Sequence, residues 1–246
     1  MRDDRLYNDA DLAQFYDLDN DWSDDLSFCR QLAQGCGSVL DLGCGTGRFA
    51  ADIAASVERV VGADPARPML DIARNRPGGE RVQWVEADAK TMRLGVVFDL
   101  VVLTGHVFQV FLTRADRLAV LKTIAAHLAP EGRFVFDSRN PALAEWREWT
   151  PALSQREIDH PRLGTVASWN DVRCDEKTGI VTYETFYRTA DGHTFQAASD
   201  LAFASPAEIA ELAEEAGLVV ERWLGDWHGA PCDEGSPEII PIGRLA

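Results

Sequence analysis

Three alternating glycines follow a short apolar run and stand where the backbone can approach a ligand closely. The segment VLDLGCGTG spans residues 39–47 and places the glycines at positions 43, 45 and 47. Glycine adopts positive φ angles and has no Cβ, so a glycine loop at the end of a strand can enclose a bound group. Asp41 places a carboxylate two residues before the first glycine, which favours a ligand with positive charge. We expect a ligand crevice here.

The glycine spacing argues against a dinucleotide in this crevice. A dinucleotide fingerprint has the pattern G-x-G-x-x-G, and its third glycine would fall at position 48. Arg48 occupies that position, so the pattern is D-x-G-x-G-x-G. A nicotinamide-dependent oxidoreductase that uses Asp64 on a ribose is therefore a minor alternative.

Further polar residues follow the next apolar runs in a regular order. Asp64 ends the second run, Asp88 and Ala89 follow the third, and Thr104 and His106 follow the fourth. The carboxyl ends of parallel strands meet at one edge of a sheet, so these residues are expected to surround the same crevice. Taken singly, Asp64 could be a helix cap and Asp88 a surface acid. Asp99, at the start of the fourth run, is expected to be structural.

This ordered set resembles the class I S-adenosylmethionine (SAM)-dependent methyltransferases, and the resemblance covers residues 38–137. It implies that Asp64 holds the ribose hydroxyls, that Pro65 and Met69 flank the adenine, and that Asp88 with Ala89 contacts the adenine ring. The expected cofactor is SAM, with S-adenosylhomocysteine (SAH) as product and no metal. The implied cofactor-binding residues are Asp41, Gly43, Cys44, Gly45, Gly47, Asp64, Pro65, Met69, Asp88, Ala89 and Thr104.

Methyl transfer from a sulfonium is an in-line displacement, so catalysis depends mainly on positioning of the nucleophile. His106 is the candidate base or acceptor-orienting residue, because the loop after the fourth strand borders the methyl group in this family; the alternative is a histidine that only packs there. Tyr7, Tyr16 and Trp22 are candidate lid residues in contact with the acceptor. Gln109 and Arg139, near the ends of the fourth and fifth strands, are further candidate acceptor contacts.

The elements that position these residues follow from the hydrophobic pattern. Short apolar runs alternate with amphipathic stretches between residues 38 and 137, which predicts βαβ units around a parallel sheet. Residues 164–204 contain three β-rich runs separated by turn signals, which predicts an antiparallel meander. A capped helix from Ser205 to Gly217 and two final runs, 218–224 and 238–242, would close the sheet with a hairpin.

We therefore predict an α/β fold: a Rossmann-like, doubly wound and mostly parallel seven-stranded sheet with an antiparallel β-meander insertion. The expected division is an N-terminal helical lid (1–35), a SAM-binding methyltransferase domain (36–140 and 205–246) and an inserted β-subdomain (141–204). Added β-structure after the fifth strand resembles small-molecule methyltransferases. The insertion and the last strands are rich in tryptophan, which suggests either an acceptor pocket or core packing. The tryptophans of this half are Trp146, Trp149, Trp169, Trp223 and Trp227.

An acidic triplet lies within the N-terminal 35 residues, which are predicted to be helical. Asp17, Asp19 and Asp21 resemble the opening of a calcium loop. Trp22 stands where such a loop needs glycine, and Phe28 where it needs the bidentate glutamate. We therefore expect a solvated acidic turn with no metal.

The overall composition limits the partners. The chain has 246 residues, a formal net charge of -16 and an isoelectric point near 4.6. No Lys/Arg run is present, so we expect neither nucleic acid nor membrane as a partner. The N-terminus does not resemble a signal peptide, and the five cysteines form no C-x-x-C pair, so a cytoplasmic monomer or homodimer is expected.

The sequence thus predicts a SAM-dependent methyltransferase that acts on a small-molecule acceptor through an N or O nucleophile. Two alternatives remain open within this interpretation. The acceptor could be a protein, or the chain could be a non-catalytic SAM-binding protein.

Overall fold

A computed structural model describes residues 5–246, and a central sheet flanked by helices dominates it. Seven strands of this sheet follow the order β11-β12-β5-β4-β1-β2-β3, and the two-residue strand β6 pairs with β12. The strands of this sheet are β1 Ser38–Leu42, β2 Arg59–Asp64, β3 Gln83–Glu86, β4 Phe98–Leu103, β5 Leu128–Phe136, β6 Ser138–Arg139, β11 Leu218–Leu224 and β12 Glu238–Leu245.

Strands β1 to β5 are parallel to one another, whereas β12 is antiparallel to both β5 and β11. The predicted mostly parallel, seven-stranded sheet closed by a hairpin is therefore confirmed. The chain order reverses between β1 and β4, and such a switch point opens a crevice at the carboxyl ends of the strands.

Helices cover both faces of the sheet because the strands are apolar on both faces. Val39 packs against one helix layer with Phe49, whereas Leu40 packs against the opposite layer with Leu121. This arrangement is typical of a doubly wound sheet. The α-helices are α1 Arg5–Asn8, α2 Ala10–Ala13, α3 Tyr16–Asp19, α4 Asp24–Leu32, α5 Arg48–Ile53, α6 Arg67–Asn75, α7 Arg114–His127, α8 Pro151–Ser154 and α9 Pro206–Glu215. Short 3-10 helices span Gly79–Arg81, Val107–Val110 and Glu145–Glu148.

Local signals set the ends of two outer helices. The Thr113 hydroxyl accepts a hydrogen bond from the Asp116 N–H, and the Ser205 hydroxyl accepts one from the Glu208 N–H. Gly217, with a φ of +79°, follows α9 where the sequence predicts its end. Asp99 is structural as expected, because its Oδ2 accepts the N–H groups of Gly37 and Ser38.

A second, antiparallel sheet lies between β6 and α9 in the sequence. Its order is β10-β9-β8-β7, with β7 Arg156–His160, β8 Gly164–Cys174, β9 Val181–Arg188 and β10 Thr194–Leu201. The last three strands correspond to the three predicted runs. The polar strand β7 is not predicted from the sequence. It pairs with β8, with Arg156 opposite Ser168.

The N-terminal helices pack against both sheets. Phe15 is fully buried and stacks on Tyr187 of the second sheet, with ring centroids 4.2 Å apart. Ala13 packs with Ala66 and Met69 beside the main sheet. The predicted lid begins with four residues that lie outside the described ones. Among the described residues, no helix combines the length and apolar character needed to cross a bilayer.

Candidate functional site

The glycine loop at the end of β1 is tightly enclosed by side chains. Gly43 and Gly47 have φ angles of +81° and +72°. A Cβ on Gly43 would lie 2.7 Å from Cγ1 of Val107, and one on Gly47 would lie 2.3 Å from Cη2 of Trp84. Both positions therefore require glycine for conformation and for space.

Asp64 fastens this loop to the end of β2. Its Oδ2 accepts the Gly45 N–H at 2.9 Å, and its Oδ1 accepts the Ala66 N–H at 2.8 Å. Burial raises the pKa of this carboxyl, while the two backbone hydrogen bonds act in the opposite direction. Both carboxylate oxygens of Asp64 therefore hold backbone groups, and its contact with the ribose hydroxyls stays a prediction.

Asp41 is a nearly fully buried carboxylate beneath the same loop. Only 3% of the residue is exposed, and burial together with the charge of Asp64 raises its pKa to about 7. The backbone of Ala50 in α5 partly offsets this by hydrogen bonding. A positively charged ligand group beside Asp41 would relieve the cost of its ionisation.

A cleft of about 420 Å³ opens between the glycine loop and the loops after β4 and β5. This volume lies within the usual range for small-molecule sites. Carboxylates outnumber cationic groups in its lining. The acidic residues are Asp21, Asp24, Asp25, Asp41, Asp137 and Glu238, and the basic ones are Arg48, His106 and Arg139.

The predicted cofactor residues divide into two groups. Those that line the cleft are Asp41, Gly43, Cys44, Gly45 and Thr104. Of the others, Met69 is 1% exposed and packs beneath the N-terminal helices. Asp88 accepts the Lys90 N–H at 2.9 Å and lies 3.7 Å from its ammonium, with the buried Ala89 between them in sequence. Pro65 is exposed after β2.

His106 has an unusual backbone conformation and two carboxylate partners. Its φ is +62°, and its N–H donates to Oδ1 of Asp137 at 3.0 Å. The imidazole Nε2 lies 2.9 and 3.1 Å from the two oxygens of Glu238 and 3.6 Å from Oδ2 of Asp137. Burial lowers the pKa of this histidine, but the Asp137 charge and the Glu238 hydrogen bond outweigh it and raise the pKa overall.

Asp137 directly follows β5 and lies beneath His106. Burial raises its pKa to about 6, and the charge of His106 partly offsets this shift. Its Oδ2 is buried and has no hydrogen-bond partner among the described residues. Neither Asp137 nor Glu238 is identified as a site residue from sequence. Glu238 reaches the cleft because β12 pairs with β6, and this pairing places Glu238 opposite Arg139.

These three side chains are also of the types that bind metals. One ligand atom from each of His106, Asp137 and Glu238 lies within 4.8 Å of the other two. In this structure Nε2 of His106 is hydrogen-bonded to the carboxylate of Glu238, so the three side chains form an acid–imidazole group.

The acidic triplet of the N-terminal segment is ion-paired, and the expected solvated turn is wrong for Asp17 and Asp19. We call residues 16–21 the strap. Asp17 accepts the Thr46 hydroxyl at 2.7 Å and forms an ion pair with Arg76. Asp19, whose side chain is only 7% exposed, binds Arg156 at 2.7 Å and accepts the Tyr187 hydroxyl at 2.7 Å. The strap thus joins the glycine loop to the second sheet.

The predicted lid aromatics have different surroundings. Tyr16 lies in the cleft wall, 4.0 Å from a Cβ built on Gly45, and its ring contacts that of Tyr7 edge-on. The Tyr7 hydroxyl lies 3.3 Å from that of Tyr183. Trp22 instead donates to the Ser27 hydroxyl and does not line the cleft.

The two predicted acceptor contacts after β4 and β5 also differ. Arg139 lines the cleft, with its guanidinium 5.0 Å from the Trp149 ring centroid and 3.3 Å from Glu145. Gln109 is fully buried beneath it and accepts the Arg139 N–H at 2.8 Å. The structure therefore places Gln109 behind the cleft wall, where it orients the backbone of Arg139.

Most of the tryptophans pack against other side chains. Trp146 stacks on Phe203, and Trp169 stacks on Phe186. Trp223 packs against the main core, and among the five only Trp227 lines the cleft, within the part of the chain that the structure describes.

Comparison with known proteins assigns the class. Residues 39–132 match the methyltransferase domain family. The chain is 28% identical over 212 residues to the cypemycin N-terminal methyltransferase of Streptomyces sp, covering 83% of this chain and 82% of that protein. Two solved structures share the fold. The CcbJ methyltransferase of Streptomyces caelestis superposes with a TM-score of 0.76 at 22% identity over 98% of each chain. The sugar N-methyltransferase KedS8 of Streptoalloteichus sp ATCC 53650 gives 0.72 at 19% identity over 94% and 91%.

The sheet order with its switch point, the glycine loop and the family match over residues 39–132 together identify a class I, Rossmann-like, SAM-dependent methyltransferase domain in this chain.

Proposed function

We propose that this enzyme transfers the methyl group of SAM to the nitrogen of a small-molecule amine. The observation that carries the proposal is the acid–imidazole group of His106, Asp137 and Glu238 in an acidic cleft. Carboxylates attract an ammonium ion, and a neighbouring imidazole can take its proton. A neutral hydroxyl acceptor would gain little from this excess of negative charge.

The chemical step requires little covalent participation by the protein. The amine lone pair attacks the methyl carbon in line with the breaking carbon–sulfur bond, and the sulfonium becomes the neutral thioether of SAH. The cleft contributes by holding nitrogen and methyl carbon about 3 to 3.5 Å apart before the reaction. His106 receives the ammonium proton, because a protonated nitrogen has no lone pair to donate.

The proposed cofactor contacts follow the family resemblance. Asp64 binds the ribose hydroxyls, Asp41 faces the amino group of the methionine part, and Asp88 contacts the adenine. The loop backbone at Gly43 and Gly45 lies against the ligand. Tyr16 and Arg139 are the proposed acceptor contacts, because both line the cleft.

The names of two similar proteins support nitrogen as the nucleophile. The cypemycin enzyme is named for an N-terminal methyl transfer, and KedS8 is named as a sugar N-methyltransferase. The first of these names also favours a peptide amino terminus as a second candidate acceptor.

Other expectations remain proposals. We propose a cytoplasmic monomer or homodimer that needs no metal and binds neither nucleic acid nor membrane. We also propose the division into a lid, a SAM-binding domain and an inserted β-subdomain.

Matched acceptors test the choice of nitrogen. Pairs of small molecules that differ only in an amine or a hydroxyl group would be incubated with methyl-labelled SAM and the enzyme, together with a short peptide bearing a free or acetylated amino terminus. We expect label in amines only, detected by mass spectrometry. Transfer to the hydroxyl member of each pair would refute the proposed nucleophile.

A further inference from the structure

The charges around His106 come from three separate elements. Asp137 follows β5, Arg139 lies in β6 and Glu238 begins β12. The two carboxylates favour a protonated imidazole, whereas Arg139 opposes it. Asp25 of α4 adds negative charge near Asp137. With His106 protonated, the group of His106, Asp137 and Glu238 carries one net negative charge.

A cationic ligand in this cleft would change that balance. The glycine loop and His106 line the same cavity of about 420 Å³, so a cationic ligand held by the loop shares the cavity with the imidazole. Salt screens charges weakly when they are buried and closer than about 10 Å. Burial of the site strengthens the repulsion between two positive charges. The free carboxylate oxygen Oδ2 of Asp137 is left to attract the incoming cation.

We propose that His106, positioned by Glu238 and Asp137, is a charge-gated base: it holds a proton in the empty and SAH-bound enzyme and loses it when SAM binds. The sulfonium charge expels the Nδ1 proton to solvent. Nε2 keeps its hydrogen on the carboxylate of Glu238, and the Nδ1 lone pair is then free to accept a proton from the acceptor. The identity of that acceptor as an ammonium rests on the proposed function, but the gating by SAM does not.

Atoms and charges balance in the proposed reaction. The acceptor R–NH3⁺ gives one proton to Nδ1 of His106. The sulfonium still opposes protonation of the imidazole, so this equilibrium is unfavourable and is drawn forward by the reaction of the R–NH2 that forms. Its lone pair forms the new nitrogen–carbon bond while the carbon–sulfur electrons return to sulfur. The products are R–NH2–CH3⁺ and neutral SAH, and His106 keeps the transferred proton until the site reopens. The loss of the sulfonium charge therefore restores the protonated histidine of the resting state.

The comparison of SAM with SAH isolates this effect, because the two ligands differ only in the methyl group and its sulfonium charge. Binding of each would be measured by titration calorimetry in buffers of different ionisation enthalpy, between about pH 6 and 9, which gives the protons released. Both ligands release protons through Asp41. We expect SAM to release an additional fraction, up to about one proton.

His106→Asn supplies the decisive variant, since asparagine tolerates the left-handed backbone of this position. The additional release should vanish in this variant and persist in the control His193→Asn, which changes an exposed histidine in the turn before β10. Equal release for SAM and SAH by the wild type, or an excess that survives His106→Asn, would overturn the proposal.

Glu238→Gln tests the positioning residue. This variant removes a carboxylate that favours the charged imidazole, so a smaller fraction of His106 is protonated before SAM binds. The additional release should shrink, and in an active assay the acidic limb of the pH–rate profile should move to lower pH. An unchanged release would assign Glu238 a purely structural role. If no amine is methylated, the proposed function fails while the calorimetric result stands on its own.

Discussion

At the scale of single residues, several ionisable groups of the cleft are buried, and burial disfavours their charged forms. Asp41 and Asp64 lie side by side beneath the glycine loop, and burial raises the pKa of both. Such carboxyls destabilise the folded protein once they ionise, because the unfolded chain solvates the charge better. A bound cation stabilises the ionised carboxylates. The free energy that their burial costs in the empty protein is therefore recovered as affinity for the cation.

Asp41 predicts a pH dependence of cofactor-site affinity. Its pKa of about 7 is above that of an unfolded aspartate, so its contribution to stability is present at low pH and is lost as the pH rises towards 7. Affinity for SAH should rise over the same range, by up to about tenfold per pH unit, as the carboxylate forms. Calorimetric titration of SAH between about pH 6 and 8 measures this.

Two variants define the origin of that dependence. Asp41→Asn should bind SAH more weakly and with less change across the pH range. Asp52→Asn, which alters a partly exposed acid in α5, should retain the wild-type profile. A pH-independent affinity in the wild type would show that Asp41 does not face the ligand amino group.

Residue-scale prediction from sequence succeeds where a signal is local. The glycine spacing and the strand-terminal position of Asp64 lie within short segments, so both can be recognised without a structure. Glu238 cannot, because it is separated from His106 by 132 residues and meets it only through the pairing of β6 with β12. The partners of Asp17 and Asp19 are likewise distant in sequence.

At the scale of elements, the strap links two sheets through neighbouring carboxylates. Asp17 contacts the glycine loop, and Asp19 contacts β7 and β9 two residues later. The helices of this region have only four residues, too few for independent stability. Their order therefore depends on these contacts and on the burial of Phe15.

The strap offers a matched pair of substitutions. Asp19→Asn leaves Arg156 and the Tyr187 hydroxyl without their buried carboxylate, and the free energy of unfolding should fall by about 2 to 4 kcal/mol. Asp21→Asn removes an acid whose side chain is 96% exposed, and its effect should be within experimental error. Denaturant unfolding followed by fluorescence measures both. Equal effects of the two substitutions would argue against a stabilising role for Asp19.

Most helices and strands can be predicted from the sequence, but β7 and the short N-terminal helices cannot. Four of the five parallel strands contain buried apolar runs, whereas β3, with the sequence QWVE, is only half-buried. Helix α7 has a cap and helical periodicity. Strand β7, with the sequence REIDH, has little apolar character and forms because β8 offers an edge. The short N-terminal helices are defined by tertiary packing rather than by helix propensity.

At the scale of the whole molecule, the topology brings distant segments to one cleft. The switch between β1 and β4 opens the crevice, the parallel strands bring His106 and Asp137 to its rim, and the final hairpin brings Glu238 there. The strap closes one side from the N-terminus. The fold class was therefore predictable from alternating runs, whereas the composition of the rim required the antiparallel pairing at the end of the chain.

Methyl transfer to an amine by the metal-free enzyme is the most direct test of the proposed reaction. The purified enzyme, treated with excess EDTA, would be incubated with methyl-labelled SAM and a metabolite extract rich in small amines, and the products would be analysed by mass spectrometry. We predict label on the nitrogen of an amine together with one SAH per methyl transferred, and loss of both in His106→Asn by about 100-fold or more. Binding of SAM without transfer to any acceptor, or transfer that EDTA abolishes, would contradict this account.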